Sequence, residues 1–494
     1  MKLMKPRNFK TPISHKSLTT SHKQIKKMLK RYNRLWILVL LLAASAGLQA
    51  QEYPFIKYEA NQLHYDSTSV TMQAFFQKWH RMKQGGNVRV NIMHIGGSHV
   101  QAGTFPHRVR TRLLEANPTL VGGRGLLFPY SAAAKCNNPS DYRVHCVEKV
   151  ELTRNVSGSP AHPLGLCGIA VTAHDVLTRI QIMSNDNIDY GVSRIVVLGY
   201  SPDGVVPLLS CDGHNMSPSY IDSAKHRYIF NLSHEVDSFD ILLPCSENES
   251  FTLTGVKLDS RNAGIIYHSI GVNGAAVPDY LKCALKNDLR MVMPDLVIFG
   301  IGINDAHGDH FDSAAFRRNY LRLCDSVRSI NPQCAFIFVT NNDCYRKSGR
   351  HYSVNRNGLQ VRDVFYRLAE ETGGAVWDQF EIMGGLTSMQ QWQDAGLAQK
   401  DKVHFTRAGY QLIGDMLYEA IAKELYSFEV DKVLRRDAGK LHESATPSTS
   451  SSNKQQQLRQ RDEGTEGLPR GLRRKPHHKL VIKAANTNNN EDAE

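Results

Sequence analysis

Two short, almost entirely apolar runs in the second half of the chain constrain its fold most strongly. The runs are "PDLVIFGIG" (294–302) and "CAFIFVTN" (334–341), and between them lies "FRRNYLRLCDSVRSI" (316–330), which has the apolar spacing of a helix. Strands that are apolar on both faces need cover on both faces, which is typical of a parallel sheet between two helical layers. The sequence therefore predicts an α/β fold.

The same alternation of strand and helix occurs near the start of the folded region. "VRVNIMHI" (88–95) predicts a strand, and "TFPHRVRTRLLEAN" (104–117) places Phe105, Val109 and Leu113 four residues apart, as in a helix with one buried face. A tight loop separates the two, so we expect a strand–loop–helix unit of the same kind as those later in the chain.

The middle of the chain differs in kind. Residues 141–263 contain short β-rich runs such as "SRIVVLGY" (193–200) and "FTLTGVKLDS" (251–260), broken by turn residues and almost without helical periodicity. This pattern predicts a β-sandwich module inserted into the α/β domain, whose two parts would be residues 51–140 and 264–430.

The first 50 residues predict an export signal. A basic stretch is followed by "LWILVLLLAASAG" (35–47) and then by small residues, so that cleavage after Ala46 or Ala50 fits the pattern. Met28 offers an alternative start, and an uncleaved membrane anchor is the competing interpretation. We expect a bacterial protein exported to the periplasm, the cell envelope or the exterior.

The far end of the chain, residues 431–494, is polar and low in complexity and predicts a disordered tail. Most of the positive charge lies at the two ends. Of the formal net charge of +13, residues 1–34 contribute +11 and residues 431–494 contribute +4, which leaves −2 for the rest. The folded region therefore has no overall basic field, and no nucleic-acid partner is indicated.

Nine cysteines are scattered along the chain without a C-x-x-C pair, so neither a zinc ribbon nor a thioredoxin-like redox site is indicated. An oxidising compartment would allow some of them to pair, and spacing alone does not say which. Those in apolar runs, such as Cys334, are expected to be small buried side chains.

Ser98, in "VNIMHIGGSHVQAG" (90–103), stands where an apolar strand ends and a helix begins, which is where open α/β sheets bind ligands. A nucleophilic serine needs a base and a carboxylate that orients the base. Asp401 and His404, in "KDKVHFT" (400–406), stand three residues apart in a short loop. Asp401 can therefore accept from one imidazole nitrogen while the other nitrogen faces Ser98.

A serine mechanism also needs donors for the oxyanion that forms in the transition state. Two further loops supply them: "GIIYHSIGVNGAAV" (264–277) contains Gly274, and "FGIGINDAHG" (299–308) contains Asn304 just beyond a strand. We predict that the backbone N–H groups of Ser98 and Gly274 and the side-chain amide of Asn304 converge on one oxygen.

These four blocks, "GGSH", "GVNGA", "GIND" and "DKVHFT" in this order, resemble the SGNH (GDSL-type) hydrolase superfamily. The resemblance covers roughly residues 88–130 and 264–425. It implies a flavodoxin-like parallel sheet and a serine ester hydrolase that needs neither a metal nor an organic cofactor. It further implies the catalytic residues Ser98, Asp401 and His404, with an oxyanion hole formed by Ser98, Gly274 and Asn304.

The His after the serine, the insertion, and the stretches "GGRGLLFPYSAA" (122–133) and 383–406 resemble the peptidoglycan O-acetylesterase branch, in which a carbohydrate-binding-like β-module interrupts the hydrolase domain. This resemblance implies a polysaccharide or peptidoglycan substrate that carries O-acetyl groups. Gly97 departs from the pattern, because family members usually have Asp before the serine. The absence of that Asp can loosen the loop that holds Ser98 and so reduce activity.

Simpler interpretations of the same residues stay open. Ser98 could cap a helix, Asn304 could fix its own turn, and Asp305 could order the loop. His99 would pack or bind substrate, with no part in proton transfer. Four side chains lie in what is either a polar loop or a metal site: Asp305, His307, Asp309 and His310.

Two alternatives to ester hydrolysis also remain. One is acetyl transfer, in which a sugar hydroxyl replaces water in the second step. The other is a carbohydrate-binding protein on an inactive hydrolase fold, which the departure at Gly97 would explain.

Overall fold

The computed structural model describes residues 53–133 and 136–445, the last ten of them as backbone only. The predicted export signal and the predicted tail beyond residue 445 lie outside the described residues. Described residues up to Asp431 belong to one compact unit. Within the described ranges, no helix combines the length and apolar character needed to cross a membrane.

A seven-stranded sheet forms the centre of the α/β part, and all its strands are parallel except the first, which pairs antiparallel at one edge. Its strands are buried on both faces, as the apolar runs predict. In spatial order they are Leu63–His64, Ala375–Trp377, Ala335–Val339, Leu296–Gly300, Arg89–Gly96, Gly264–Gly271 and Val121–Gly123.

The five principal parallel strands follow the flavodoxin-like order 2-1-3-4-5, so the predicted fold class is confirmed. Strand order reverses between Arg89–Gly96 and Leu296–Gly300, which lie side by side although about 200 residues separate them. Open sheets bind ligands at the carboxyl ends of the strands at such a reversal. The loops after these two strands are those that contain Ser98 and Asn304.

Helices cover the sheet in two groups. Ser313–Arg328 and Asn357–Thr372 pack on each other, while the last helix is tied to two earlier helices through the ion pairs Arg108–Asp415 and His80–Glu429. The α-helices are Val70–Lys83, Ser98–Gln101, Thr104–Glu115, Val277–Tyr280, Leu285–Val292, Ser313–Arg328, Asn357–Thr372, Gln379–Ile382, Ser388–Asp394 and Arg407–Ala445, and the 3-10 helices are Tyr58–Ala60, Tyr130–Ala132 and Ser223–Lys225.

Local sequence explains where the longer helices begin and which face they bury. The side chain of Asp312 accepts from the Ala315 N–H and so caps Ser313–Arg328. In Thr104–Glu115 the predicted apolar face is confirmed, because Phe105, Val109 and Leu113 are all buried.

The inserted module consists of two antiparallel sheets. Ile182 of the first sheet and Leu258 of the second line the same small cavity, so the sheets face each other as in a sandwich. The first contains His214–Met216, Leu208–Cys211, Ser238–Leu243, Thr178–Ser184 and Tyr142–His145. The second contains Tyr220–Asp222, Arg227–Asn231, Arg194–Tyr200, Phe251–Asp259, Ile169–Ala173, Glu151–Arg154 and Gly125–Leu127.

Two element boundaries differ from the sequence-based prediction. Gly125–Leu127 pairs with Phe251–Asp259 and so joins the second insert sheet, although it precedes residue 141. The last helix continues to Ala445, into the region predicted as a disordered tail. Nine of the fifteen residues 431–445 are Leu, Ala, Lys, Arg or Glu, which favour helix formation. The helix therefore has no reason to stop at residue 430.

All nine cysteines are unpaired, so none of the pairs that the sequence left open is formed, and Cys334 is buried as expected. A small two-stranded hairpin, Tyr345–Ser348 with His351–Val354, was not predicted from the sequence.

A buried group of charges joins the insert to the α/β part. Asp141 accepts from Arg110 at 2.8 Å and from Arg124 at 2.6 Å, and all three side chains are at most 4% exposed. Arg110 also donates to Ser269 in the central sheet. Burial alone would raise the pKa of Asp141, but the two guanidinium groups hold it well below its ordinary value.

Removing the carboxylate charge should destabilise the protein strongly, because Asp141→Asn takes from two buried guanidinium groups the one carboxylate with which both form an ion pair. We expect the free energy of unfolding to fall by about 3–5 kcal/mol, measured by urea denaturation. Asp240→Asn is the control, because its partner Arg179 is 58% exposed and 3.6 Å away, and its loss should cost at most about 1 kcal/mol. Equal effects of the two substitutions would contradict this account.

Candidate functional site

The site lies where the strand order of the central sheet reverses. Gly96 and Gly300 end neighbouring strands in register, and a Cβ atom on Gly96 would lie 2.5 Å from the carbonyl oxygen of Gly300. Glycine is required there so that the two backbones can approach. The chain then turns at Gly97, and Ser98 begins a one-turn helix at the edge of the sheet.

The structure brings together the three side chains that the sequence suggested as a triad. Ser98 Oγ lies 2.8 Å from His404 Nε2, and His404 Nδ1 lies 2.7 Å from Asp401 Oδ2. With the ring proton on Nδ1, the imidazole donates to Asp401 and its Nε2 accepts from the Ser98 hydroxyl. This arrangement can withdraw a proton from the serine.

Asp401 is held by its own loop. Its Oδ1 accepts from the backbone N–H groups of Val403 and His404, each at 3.0 Å, in a turn where Lys402 has a positive φ of 56°. Partial burial would raise its pKa, but the hydrogen bonds from the backbone and ring of His404 and from Val403 keep it below the ordinary value. The carboxylate therefore stays ionised beside the imidazole.

Hydrogen-bond donors surround the serine on its other side. Among the described residues, the backbone N–H groups of Ser98 and Gly274 have no hydrogen-bond acceptor, so both remain available. Asn304 Nδ2 donates one hydrogen to the carbonyl of Ala275 at 2.9 Å and keeps its second hydrogen. All three donor residues line the same cleft, so the predicted oxyanion donors lie around one space.

The conformation of the Gly274 loop explains its residue type. Gly274 has φ +84°, which disfavours any residue with a side chain. The neighbouring N–H of Asn273 donates to Gln101 Oε1 at 2.6 Å, which fixes this loop to the helix that begins at Ser98. Nothing in the sequence pattern indicated this role for Gln101.

Asp305, beside Asn304, orders the loops as the sequence suggested. Its carboxylate accepts from the N–H of Val277, three residues after Gly274, at 3.1 and 3.2 Å. Burial raises the pKa of Asp305 to about 7, although the hydrogen bond from Val277 opposes the shift.

His99 packs behind the imidazole of His404, with ring centroids 5.1 Å apart, and its Nδ1 lies 2.8 Å from the hydroxyl of Tyr410. Burial, reinforced by the nearby His404, lowers the pKa of His99 to about 3. His99 is therefore neutral and supports the base sterically, in agreement with the expectation that it takes no part in proton transfer.

Gly97, the departure from the family pattern, leaves the hydrogen-bonded chain of Ser98, His404 and Asp401 intact. A Cβ atom at position 97 would lie 3.2 Å from Asn304 Nδ2, tighter than most such contacts. A larger side chain here would have to share space with that amide.

The cleft above the serine has a volume of about 360 Å³, and its lining includes His307, Val403 and Ile303 in addition to the residues above. A separate cavity behind His99 measures only about 30 Å³ and offers room for one or two water molecules. Of these two spaces, only the cleft has room for a substrate. Its lining could not be predicted, because these three residues have ordinary sequence surroundings.

No metal ligand set forms from Asp305, His307, Asp309 and His310. Asp305 binds backbone, and Asp309 pairs with Arg346 at 2.7 Å. Within residues 53–133 and 136–445, one other group could hold an ion: His107, Asp141 and Asp186. Arg110 and Arg124 already neutralise Asp141, so a cation there would face two guanidinium groups.

Comparison with known families gives one match. Residues 249–412, about a third of the chain, match the model of the GDSL-like Lipase/Acylhydrolase family. The matched range contains Gly274, Asn304, Asp401 and His404 and begins after Ser98. A search of curated proteins found no match.

Solved structures with a similar fold are known. A peptidoglycan O-acetylesterase matches with 21% sequence identity and a TM-score of 0.61, over 74% of this chain and 99% of that chain, which shows the same fold. An acetyl xylan esterase (18% identity, TM-score 0.26, 32% of this chain and 80% of that chain) and a family two carbohydrate esterase from Cellvibrio japonicus (10%, 0.25, 58% and 99%) are too distant to support an argument.

The raised pKa of Asp305 predicts a pH-dependent stability. The folded protein holds this proton up to about pH 7, whereas an unfolded Asp loses it near pH 4, so the stabilisation is complete below about pH 4 and disappears as the pH rises through 7. Asp305→Asn cannot ionise. Between about pH 5 and pH 8, we expect the free energy of unfolding to fall by roughly 2 kcal/mol less in Asp305→Asn than in the wild type, measured by urea denaturation.

Asp309→Asn, in the same loop, is the matched control because its carboxylate is 92% exposed. Its stability should follow the wild-type pH curve. If the free energy of unfolding depends on pH in the same way in Asp305→Asn and in the wild type, the Asp305 carboxyl does not cause the pH dependence.

Proposed function

We propose that this chain, which contains a GDSL-like acylhydrolase domain on an SGNH hydrolase fold, is an exported serine ester hydrolase that removes O-acetyl groups from a polysaccharide or peptidoglycan sugar. The observation that carries this proposal is the hydrogen-bonded chain from Ser98 through His404 to Asp401. The neighbouring donors of the cleft supply the other requirement of acyl transfer.

In the first step, Ser98 Oγ attacks the carbonyl carbon of the ester while His404 Nε2 takes the hydroxyl proton. Asp401 holds the ring in the tautomer that can accept at Nε2 and stabilises the imidazolium that forms. The negative charge on the carbonyl oxygen faces the N–H groups of Ser98 and Gly274 and the free hydrogen of Asn304.

The tetrahedral intermediate then collapses: the bond between the carbonyl carbon and the sugar oxygen breaks, and that oxygen takes the proton from His404 and leaves as a hydroxyl. Water enters, gives a proton to His404 and attacks the acetyl group on Ser98. Acetate leaves as the proton returns to Ser98 Oγ. Throughout these steps the hydrogen bond to Asp401 orients the ring of His404, and His99 packs against the ring from behind.

A glycan substrate is supported by two features. The matched peptidoglycan O-acetylesterase shares the fold over nearly its whole length. The cleft is also open to solvent beside the insert: Val156 of the insert lies 4.0 Å from where a Cβ atom on Gly274 would stand. An open cleft next to a second module suits a bulky polymer better than a small buried ester.

Loss of either reacting group should abolish the activity. We expect Ser98→Ala and His404→Ala each to lower kcat for acetate release from O-acetylated peptidoglycan by at least about 10³-fold, with a double variant scarcely worse, because the residues act as a unit. His174→Ala, an exposed histidine of the insert, should leave kcat unchanged. An acetylated acceptor glycan formed in place of acetate would contradict hydrolysis.

The oxyanion role of Asn304 predicts a different kinetic signature. Asn304→Ala should lower kcat by about 10²–10³-fold and change KM little, because the lost hydrogen bond forms mainly in the transition state. The comparison uses steady-state kinetics with p-nitrophenyl acetate. A change confined to KM would assign Asn304 to substrate binding.

A further inference from the structure

The hairpin Tyr345–Ser348 and His351–Val354 stands beside the cleft and has an unusual charge. Its ten residues contain Arg346, Lys347 and Arg350 but no Asp or Glu. The region from residue 35 to residue 430 as a whole has a net charge of −2. The positive charge of the hairpin is therefore local, and the reaction described above makes no use of it.

The base of the hairpin is joined to two of the loops that line the cleft. The N–H of Tyr345 donates to the carbonyl of Lys402 at 3.0 Å, next to Val403. On the other side, Asn355 Nδ2 donates to the carbonyl of Ala306 at 3.0 Å, next to His307. Val403 and His307 both line the cleft, so the hairpin rises directly from its rim.

Cations near the base are already engaged within the protein. Lys402 Nζ lies 4.8 Å from the ring centroid of Tyr345 and 5.2 Å from that of Tyr352. Arg346 donates to the carbonyl of Gly308 at 3.0 Å. The Lys402 contacts hold the hairpin against the loop that contains Asp401 and His404, and the Arg346 contact holds it against the loop that contains Asn304.

The tip is different, because its cations are exposed and have no acidic partner. Neither Lys347 nor Arg350 has a carboxylate within ion-pair distance among the described residues. Lys347 Nζ lies 5.8 Å from the ring centroid of Tyr352, a contact that leaves its charge open to an anion. Tyr345 at the base and Ser348 at the tip are three residue steps apart along the strand, a span of about 10 Å. A group bound at the tip is thus too far from Ser98 to be the ester, but it can belong to the same polymer.

We propose that this hairpin is a substrate-binding arm that holds carboxylate groups of a glycan chain while an acetyl ester of the same chain occupies the cleft. The inference rests on the proposed function and narrows its substrate class to anionic glycans. Lys347 and Arg350 provide the contacts, and the fixed base keeps them at a constant distance from the serine. Such contacts between exposed charges weaken as salt is added.

The test removes the two tip charges in Lys347→Ser/Arg350→Ser. Substrates are O-acetylated polygalacturonate, which bears carboxylates, O-acetylated amylose, which is neutral, and p-nitrophenyl acetate. We expect kcat/KM on the anionic polymer to fall about tenfold at low salt, and the difference to vanish at high salt. Values for amylose and for the small ester should stay within twofold.

Arg81→Ser/Lys83→Ser is the matched control. These exposed cations end the helix before the strand Arg89–Gly96, at the edge of the sheet opposite the cleft, and their loss should change none of the three values. A wild-type enzyme without preference for the anionic polymer, or an equal loss on both polymers in the tip variant, would overturn the proposal.

Binding separates this inference from the proposed function. Electrophoresis through gels that contain unacetylated polygalacturonate should retard the wild type and Ser98→Ala, but not the tip variant. If the wild type is retarded but has no esterase activity, the proposed esterase function is rejected and the substrate-binding arm is retained. Activity on the small ester without any retardation would reject the arm alone.

Discussion

The site depends on the close contact between two parallel strands at their carboxyl ends. Gly96 and Gly300 lie opposite each other, and a Cβ atom on Gly96 would fall 2.5 Å from the Gly300 carbonyl oxygen. This contact lets the chain after one strand present Ser98 and the chain after the other present Asn304 to the same space. Bulkier residues would separate the strands and, with them, the nucleophile from its donor.

Those parts of the structure that rest on repeated local signals could be predicted from the sequence. Strands such as Ala335–Val339 are apolar on both faces, and the pairing of Asp401 with His404 follows from a spacing of three residues. The hairpin that begins with Tyr345–Ser348 could not be predicted, because its strands are only four residues long and polar. They lack the alternation of apolar and polar residues that marks a half-buried strand. The role of Gln101 could not be predicted for another reason, because it depends on a hydrogen bond from Asn273, which is 172 residues away in the sequence.

The insert is not an independent attachment. Asp141, at its start, shares its charge with Arg110 of the α/β part and with Arg124, and Arg110 in turn contacts the strand that leads to Gly274. Buried charges tolerate little displacement, because each must keep its partners. The orientation of the β-module is thereby coupled to the loop that supplies an N–H group to the cleft.

Asp401 and His404 meet within a single turn, so this acid–base pair is assembled by its own local backbone. Only one long-range bond, from His404 to Ser98 across 306 residues, then completes the reacting group. Loops between those two residues can vary in length as long as this junction and the positions of Gly274 and Asn304 are kept. A module of more than a hundred residues can thus enter the gap without breaking the bond between Ser98 and His404. A shift of about an ångström at the junction would inactivate a protein that is otherwise fully folded.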